Sequence, residues 1–365
     1  MKNFGFGCMR LPQKNGTIDY DEFSKMVDRF LAEGFTYFDT AHGYHDGKSE
    51  IAVRECLTKR YPRESYLLTD KLSNEYFKKE EDIRPLFESQ LKACGVEYFD
   101  NYLMHAQNAG YHKKYTACHA YEIARELKAE GKIKHIGISF HDSAEVLEKI
   151  LTDRPEIELV QIQFNYLDYE DAGIQSRRCY EVCRKFGKPV NVMEPVKGGE
   201  LVNLPPEANK IFEALHGGSN ASYAIRFAAS QEGINVVLSG MSSLAQLEDN
   251  LSYMKDFKPL TPAELDAVAK VRDIYRGMHL IPCTACHYCT AGCPKHIAIP
   301  DIFACLNQKK QFSNWNSDWY YMIHTQNAGK ASDCIKCGQC ERICPQHLPI
   351  RSLLEEAART FEKGA

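Results

Sequence analysis

Two stretches near the C-terminal end share one cysteine spacing, and it constrains this chain more than any other feature. Cys283-x2-Cys286-x2-Cys289-x3-Cys293-Pro294 is followed, 41 positions after its last cysteine, by Cys334-x2-Cys337-x2-Cys340-x3-Cys344-Pro345. Three thiolates set two residues apart can wrap three corners of a cubane, and a fourth completes or exchanges a corner. A zinc site instead pairs one Cys-x2-Cys knuckle with another roughly a dozen or more residues away, because ligands crowded into one short run fit a tetrahedral ion poorly. Nine of the 15 cysteines lie in the last 83 residues, which carry nine Lys/Arg against seven Asp/Glu, whereas the whole 365-residue chain has 45 against 49. The cysteine-rich stretch is a compositional unit of its own. A chain this long without an export signal also disfavours a disulfide reading.

These runs resemble the ligand pattern of bacterial ferredoxins. The resemblance implies two 4Fe–4S clusters with exchanged fourth ligands: Cys283, Cys286, Cys289 and Cys344 on one, Cys334, Cys337, Cys340 and Cys293 on the other. The insert Ile297–Asp333 is similar to the helical ferredoxin modules of respiratory dehydrogenases. Its aromatic residues Phe312, Trp315, Trp319, Tyr320 and Tyr321 are expected either to cover a neighbouring active site or to pack around the clusters. Ser352–Phe361 places Leu353, Leu354, Ala357, Ala358 and Phe361 on one helical face. Cys8, Cys56, Cys94, Cys118, Cys179, Cys183 and Cys305 show no ligand spacing, and Cys179 and Cys183 read as buried structural residues.

Through residue 258, short apolar runs alternate with amphipathic stretches. Strands are expected at 4–9, 37–40, 66–69, 101–104, 135–139, 159–164, 190–193 and 236–239. Helices are expected at 21–33, 50–59, 80–93, 121–130, 144–151, 177–186 and 222–231. In the first helix Phe23, Met26, Val27, Phe30 and Leu31 follow the apolar stripe, and Gly34 stops it. Eight strands interleaved with helices predict an α/β fold, a (β/α)8 TIM barrel. A doubly wound sheet would want a Gly-x-Gly-x-x-Gly turn after its first strand, and none is there. The expected organisation is a barrel over 1–258, a linker helix over 259–282 entered through Pro259-Leu260-Thr261-Pro262, and a small, mostly α-helical ferredoxin-like domain over 283–365.

Such a barrel carries its chemistry at the C-terminal ends of its strands. Those ends offer Asp39 and Tyr44 after the second strand, Lys71 after the third and His105 after the fourth. A neighbouring Lys⁺ lowers a Tyr pKa, an Asp holds the Lys, and an imidazole orients a carbonyl. Taken singly, each has a plainer use: Asp39 capping a loop, Lys71 in solvent, His105 in the core. Taken in order, Phe38-Asp39-Thr40-Ala41-His42-Gly43-Tyr44 with Ser49-Glu50, then Thr69-Asp70-Lys71-Leu72, Asp100–His105 and Gly131–Ser139 resemble the motifs of the aldo/keto reductase family. The tail resembles the subgroup whose barrel carries a C-terminal 4Fe–4S dicluster module. The resemblance implies hydride transfer between nicotinamide C4 and a carbonyl carbon. In it Tyr44 would protonate the oxygen, Lys71 and Asp39 would lower the Tyr44 pKa, and His105 would hold the carbonyl.

The cofactor side departs from that family. Ser139 is followed by Phe140 and His141 where Ser-Asn is usual. Gln161 matches the carboxamide Gln, with Gln163 close enough to compete, and Met193 stands where an aromatic ring stacks on nicotinamide. Gly240-Met241 and Gln246 replace the Lys-Ser and Arg that grip a 2′-phosphate, while Ser242, Ser243 and Asn250 suit a phosphate and adenine pocket. Without those cations the expected cofactor is NADP or NAD. The hairpin that plugs the barrel bottom in many relatives is expected to be missing or minimal. His42 and His45 are expected to be solvated or substrate-facing, and Ala106–Tyr115 to be a pocket loop.

A net charge of −4 gives no reason to expect nucleic acid or an anionic membrane as partner. No apolar run reaches the roughly 18 residues needed to span a bilayer. The opening residues show neither a secretory h-region nor an Arg/Ser-rich transit pattern, so the expected compartment is the cytoplasm, reducing and anaerobic. The expected protein is an oxidoreductase acting on an aldehyde, ketone or sugar-like alcohol. Its clusters would exchange electrons with ferredoxin or another carrier, or serve as structural or redox-sensing groups. The alternative is a non-catalytic nicotinamide- and redox-sensing or scaffolding subunit.

Overall fold

Val, Ile, Leu and aromatic residues recur through eight short runs, and each run is a parallel strand in the computed structural model, which describes residues 3–171, 173–277, 280–283, 285–312, 315–344 and 346–362. The strands are β1 (Phe4–Gly7), β2 (Tyr37–Asp39), β3 (Leu67–Leu72), β4 (Phe99–Gln107), β5 (Ile133–Phe140), β6 (Leu159–Gln163), β7 (Val190–Met193) and β8 (Ile234–Gly240). They pair in the order β1-β8-β7-β6-β5-β4-β3-β2 and close into a barrel. Burial on both faces explains why these runs are near-continuously apolar rather than alternating. The barrel interior also holds a satisfied polar knot: Thr69 Oγ1 and Asn191 Nδ2 donate to the Tyr37 hydroxyl at 2.7 and 2.8 Å. Gly137 lets β5 close up, because a Cβ there would stand 2.6 Å from Leu103 and 2.8 Å from Leu159.

The first expected helix forms as Tyr20–Ala32, N-capped by Asp19 and burying Phe23, Met26, Val27 and Phe30. The stretch Ala106–Tyr115 is not a loop. β4 runs on to Gln107, and the helix Ala109–Ala117 follows, capped by Asn108, whose side chain accepts the N–H groups of Gly110 and Tyr111 at 2.9 Å. That helix has no apolar stripe; its cap, the buried Tyr115 and the Lys114–Asn74 hydrogen bond fix it. A two-residue hairpin, Gln13–Lys14 with Thr17–Ile18, follows β1.

Helix Pro262–Gly277 packs on the barrel's outer helices Pro206–Glu213 and Asn220–Ala229. The buried Arg226–Glu264 ion pair, at 2.6 Å, pins it there. Beyond it lie the helices Ile299–Phe312, Asn316–Thr325 and Ile350–Phe361, and each cysteine run carries a short helix, Tyr288–Ala291 or Gln339–Ile343. Pro345 of the second run, with Met278 and His279 of the linker, lies outside the described residues. Among the described residues no helix is long and apolar enough to cross a membrane.

Candidate functional site

β2 and β3 lie in register with Asp39 beside Thr69, which sets Lys71 two residues farther up, against the loop leaving β2. Lys71 Nζ donates to Asp39 Oδ1 at 2.6 Å, to the Thr40 carbonyl at 2.7 Å and to the Tyr44 hydroxyl at 3.3 Å. All three ammonium protons are thereby placed. Lys71 and Asp39 are buried while Tyr44 and His105 are half-buried, so phenol and imidazole are the faces a ligand would touch. The Tyr44 loop is braced at both ends: its N–H meets the Ala41 carbonyl, and Ser49, which donates its N–H to the Tyr44 carbonyl, gives its hydroxyl to Cys8 on the β1 side. His105 stands edge-on to Tyr44, with ring centroids 6.0 Å apart.

Ser73, which no motif singled out, lies just past β3 with Oγ 2.6 Å from His105 Nδ1. This buried hydroxyl has no other hydrogen-bond partner among the described residues. With Ser73 as donor to Nδ1, the proton of a neutral imidazole sits on Nε2. Burial, then the nearby Lys71, push His105 well below the ordinary histidine range, so it is neutral at pH 7. Burial alone would lower Lys71, but Asp39 and Tyr44 overcome it and hold the ammonium above its ordinary value. Tyr44 departs from the expectation. Burial raises its pKa, Asp39 adds to the rise, and Lys71 offsets only part of it. Desolvating a phenolate here outweighs the pull of one ammonium, and the phenol stays protonated at neutral pH.

On the cofactor side, Ser139 pairs with Gln161 across β5 and β6, and Gln163 with Met193 across β6 and β7. Gln161 Nε2 reaches Met193 Sδ at 3.9 Å, whereas Gln161 Oε1 is buried without a partner among the described residues, an acceptor free for a ligand amide. Ser139 Oγ accepts the Ala106 N–H at 2.8 Å. Ser243 caps the helix Leu244–Met254 and Gln246 Oε1 accepts the Ser242 N–H at 2.7 Å, which makes a helix N-terminus beside Gly240 of the kind that receives phosphate. Asn250 does not join them. It is buried, donates to Ser239 Oγ at 2.9 Å and accepts the Tyr253 hydroxyl, so both ends of its amide are used within the fold. Arg10, also without a motif, donates to the Gly198 carbonyl at 3.2 Å and lies along Gly240, bridging the loops after β7 and β8. His42 and His45 are both part-exposed: His42 Nδ1 is 3.1 Å from Glu50, and His45 Nε2 accepts the Leu11 N–H at 3.1 Å.

The eight motif cysteines line two cavities. One is bounded by Cys283, Cys286, Cys289 and Cys344. The other is bounded by Cys293, Cys334, Cys337 and Cys340. This is the exchanged grouping that the ferredoxin resemblance implies. Among the described residues no three His, Cys, Asp or Glu side chains are placed to hold a single metal ion. The thiols instead border voids, and that donor set fits a cubane cluster.

Helix Asn316–Thr325 joins tail to barrel. Tyr320 donates its hydroxyl to Gln163 Oε1 at 3.0 Å and lies 3.2 Å from His141 Nδ1, with Trp319 edge-on to the same imidazole. Asn316 Nδ2 donates to Glu194 Oε2 at 2.6 Å. Burial pushes the Glu194 carboxyl up to about 7. Tyr321 turns the other way, stacking on Phe361 at 4.5 Å and donating to Glu362. Tyr320 thus reaches the barrel while Tyr321 packs within the tail.

A model of the aldo/keto reductase family matches residues 3–273, and a model of the 4Fe-4S dicluster domain matches residues 282–349. Among curated proteins, the chain is 28% identical over 207 residues to the NADH-specific methylglyoxal reductase of Escherichia coli K12, covering 52% of this chain and 61% of that one. It is 29% identical over 213 residues to a probable aldo-keto reductase of Glycine max, covering 54% and 57%. The chain thus spans about three fifths of the length of these relatives. Among solved structures, an aldo-keto reductase from Klebsiella pneumoniae in complex with NADPH superposes with a TM-score of 0.61 at 19% identity, covering 74% of this chain and 90% of that one. One from Bacillus halodurans gives 0.60 at 24% identity, covering 74% and 91%.

Proposed function

The chain belongs to the aldo/keto reductase family and carries a 4Fe–4S dicluster domain after its barrel, and from that premise we propose that it transfers hydride between NADPH or NADH and the carbonyl of an aldehyde, ketone or sugar-like substrate. The observation that carries the proposal is the contact of the buried Lys71–Asp39 pair with the half-buried Tyr44 hydroxyl, 3.3 Å from Lys71 Nζ. When bound, the nicotinamide supplies the hydride and the two clusters supply one-electron chemistry.

The chain's own residues do the rest. Tyr44 gives its proton to the carbonyl oxygen, and Lys71, fixed by Asp39, stabilises the phenolate left behind. His105 donates from Nε2 to the same oxygen, in the tautomer set by Ser73, and orients the carbonyl. Ser139, Gln161 and Met193 hold the nicotinamide. Ser242, Ser243 and Gln246, with Gly240 and Arg10, receive the phosphates. Arg10 restores one cation where the family pattern loses two, which keeps both NADP and NAD in the proposal. Cys283, Cys286, Cys289 and Cys344 would hold one cluster, and Cys293, Cys334, Cys337 and Cys340 the other. The proposed units are the barrel over 1–258, the linker over 259–282 and the dicluster module over 283–365, in a cytoplasmic protein.

Anaerobically purified protein tested on a panel of small aldehydes, ketones and sugars, with NADPH and NADH followed at 340 nm, checks the proposal. Turnover on at least one carbonyl supports it. Cofactor binding without turnover on any of them favours a sensing subunit, a reading that the Tyr320–Gln163 and Asn316–Glu194 contacts between the two halves also suit.

A further inference from the structure

The two cysteine cavities have different neighbours. Cys283 of the first also borders an open cleft that the barrel's buried Asp168–Lys197 ion pair helps to line. None of the residues lining the second borders that cleft. At that second cavity Cys337 is exposed, and Ile335 beside it is 57% exposed, an apolar side chain left in solvent. Cations crowd the same edge. Lys295 lines the cavity, Lys336 sits between Ile335 and Cys337, and the guanidinium groups of Arg342 and Arg351 come within 3.8 and 3.9 Å of a Cβ built at Gly338.

The carboxylates here are already engaged. Glu341 is held by Arg351 at 2.8 Å, Glu355 by Lys336 at 2.6 Å, and Asp333 caps the Lys330 N–H at 2.9 Å. Lys295 and Arg342 are exposed and have no acidic partner among the described residues. The edge is therefore locally positive on a chain whose net charge is −4. An apolar centre, a positive rim and an exposed ligand cysteine are what a short-lived, electrostatically steered electron-transfer encounter needs, and such encounters bury little surface.

We propose that the edge formed by Lys295, Ile335, Cys337 and Arg342 is the docking face for an acidic one-electron carrier protein. In the transfer the carrier is oxidised by one electron and the iron–sulfur group behind Cys337 is reduced by one. The proposal rests on the reading that both cavities hold clusters.

The test mixes cluster-loaded full-length protein with a reduced, acidic plant-type 2Fe–2S ferredoxin in an anaerobic stopped-flow instrument. Bleaching of the cluster absorption near 400 nm is followed, and the affinity of the oxidised ferredoxin is measured by calorimetry. The expected second-order rate falls about tenfold or more as salt rises from low to physiological strength and beyond. The double variant Lys295→Glu, Arg342→Glu loses a further tenfold in rate and affinity and flattens the salt dependence, while dithionite reduces both proteins equally fast. The neutral pair Lys295→Gln, Arg342→Gln falls between them, which covers a reversal variant that fails to load iron. Equal rates and equal salt slopes in loaded variants overturn the docking face alone. Anaerobic wild-type protein without the 400 nm absorption overturns the cluster reading and this proposal with it.

Discussion

The barrel and the cysteine-rich tail hold their shapes by different means. Every barrel strand is paired on both sides, and the rings of Phe4, Phe6, Phe30, Phe35 and Phe38 pack against one another at 5.3–5.9 Å. The tail has, among the described residues, one isolated bridge between Ile297 and Gly329, and its cysteine runs carry helices of four and five residues. Helices that short do not stand alone. The small tail core counts Cys289, Cys340 and Cys344 among its packed residues. Where ligands are also core, the fold depends on what they ligate. The barrel's Lys71 site, by contrast, is set wholly by hydrogen bonds within the chain. Loss of iron should dismantle one half of the molecule and leave the other standing.

The largest expected effect tests the barrel's half of this contrast. Tyr44→Phe lowers turnover about 10²–10⁴-fold, the worth of a general acid, with nicotinamide affinity and iron content unchanged. Full turnover in that variant would remove Tyr44 from the mechanism. Because burial raises the phenol above its ordinary range, carbonyl reduction in the wild type stays level through neutral pH and declines only in alkali, where the proton is lost.

Next comes the tail. Cys344→Ser takes a thiol from the first cavity and is expected to remove about half of the iron or more, by chemical assay, and to expose the chain beyond residue 277 to protease. The barrel's melting temperature should stay within a few degrees. A protease-resistant tail without iron would break the comparison.

A smaller effect is expected at Ser73. Ser73→Ala costs about tenfold in turnover, the scale of one net hydrogen bond, and redistributes the His105 tautomers seen by ¹⁵N NMR. Ser73→Thr restores both, and an unchanged tautomer would refute the positioning role.

The smallest effect lies at the seam between the halves. A carboxyl raised to about 7 in the folded state and ordinary in the unfolded one keeps its proton when folded and loses it when unfolded between about pH 4.5 and 7, so its contribution falls as pH rises through that window. With Glu194 only half-buried, about 1–2 kcal/mol is at stake. Glu194→Gln should erase that slope in a pH series of thermal melts, since Gln carries a hydrogen for the unpartnered Asn316 Oδ1 at every pH. A slope that persists in the variant assigns it elsewhere.

Much of the barrel was legible because two-sided burial writes itself as apolar runs, and the tetrad because Asp39, Lys71 and His105 fall near strand ends and Tyr44 in the loop that follows the second strand. Spacing marked the eight cysteines, and their exchanged grouping was legible through a resemblance. What escaped was whatever two distant segments make together. Tyr320 and Gln163 are 157 positions apart, and Asn316 and Glu194 are 122, so no local pattern joins them. Ser73 and Arg10 are single polar residues whose meaning comes from a neighbour across the site. Asn250 shows the converse: a residue that suited a ligand pocket spends both ends of its amide on Ser239 and Tyr253.

The crossed lining of the cysteine cavities has a consequence for biogenesis. Cys344 completes the cavity begun by Cys283, and Cys293 completes the one begun by Cys334. Neither set is contiguous, so no nascent chain that stops short of residue 344 can present a finished set of four to the first cavity. A product that ends between Cys293 and Cys334 would carry Cys283, Cys286 and Cys289 of the first set and Cys293 alone of the second.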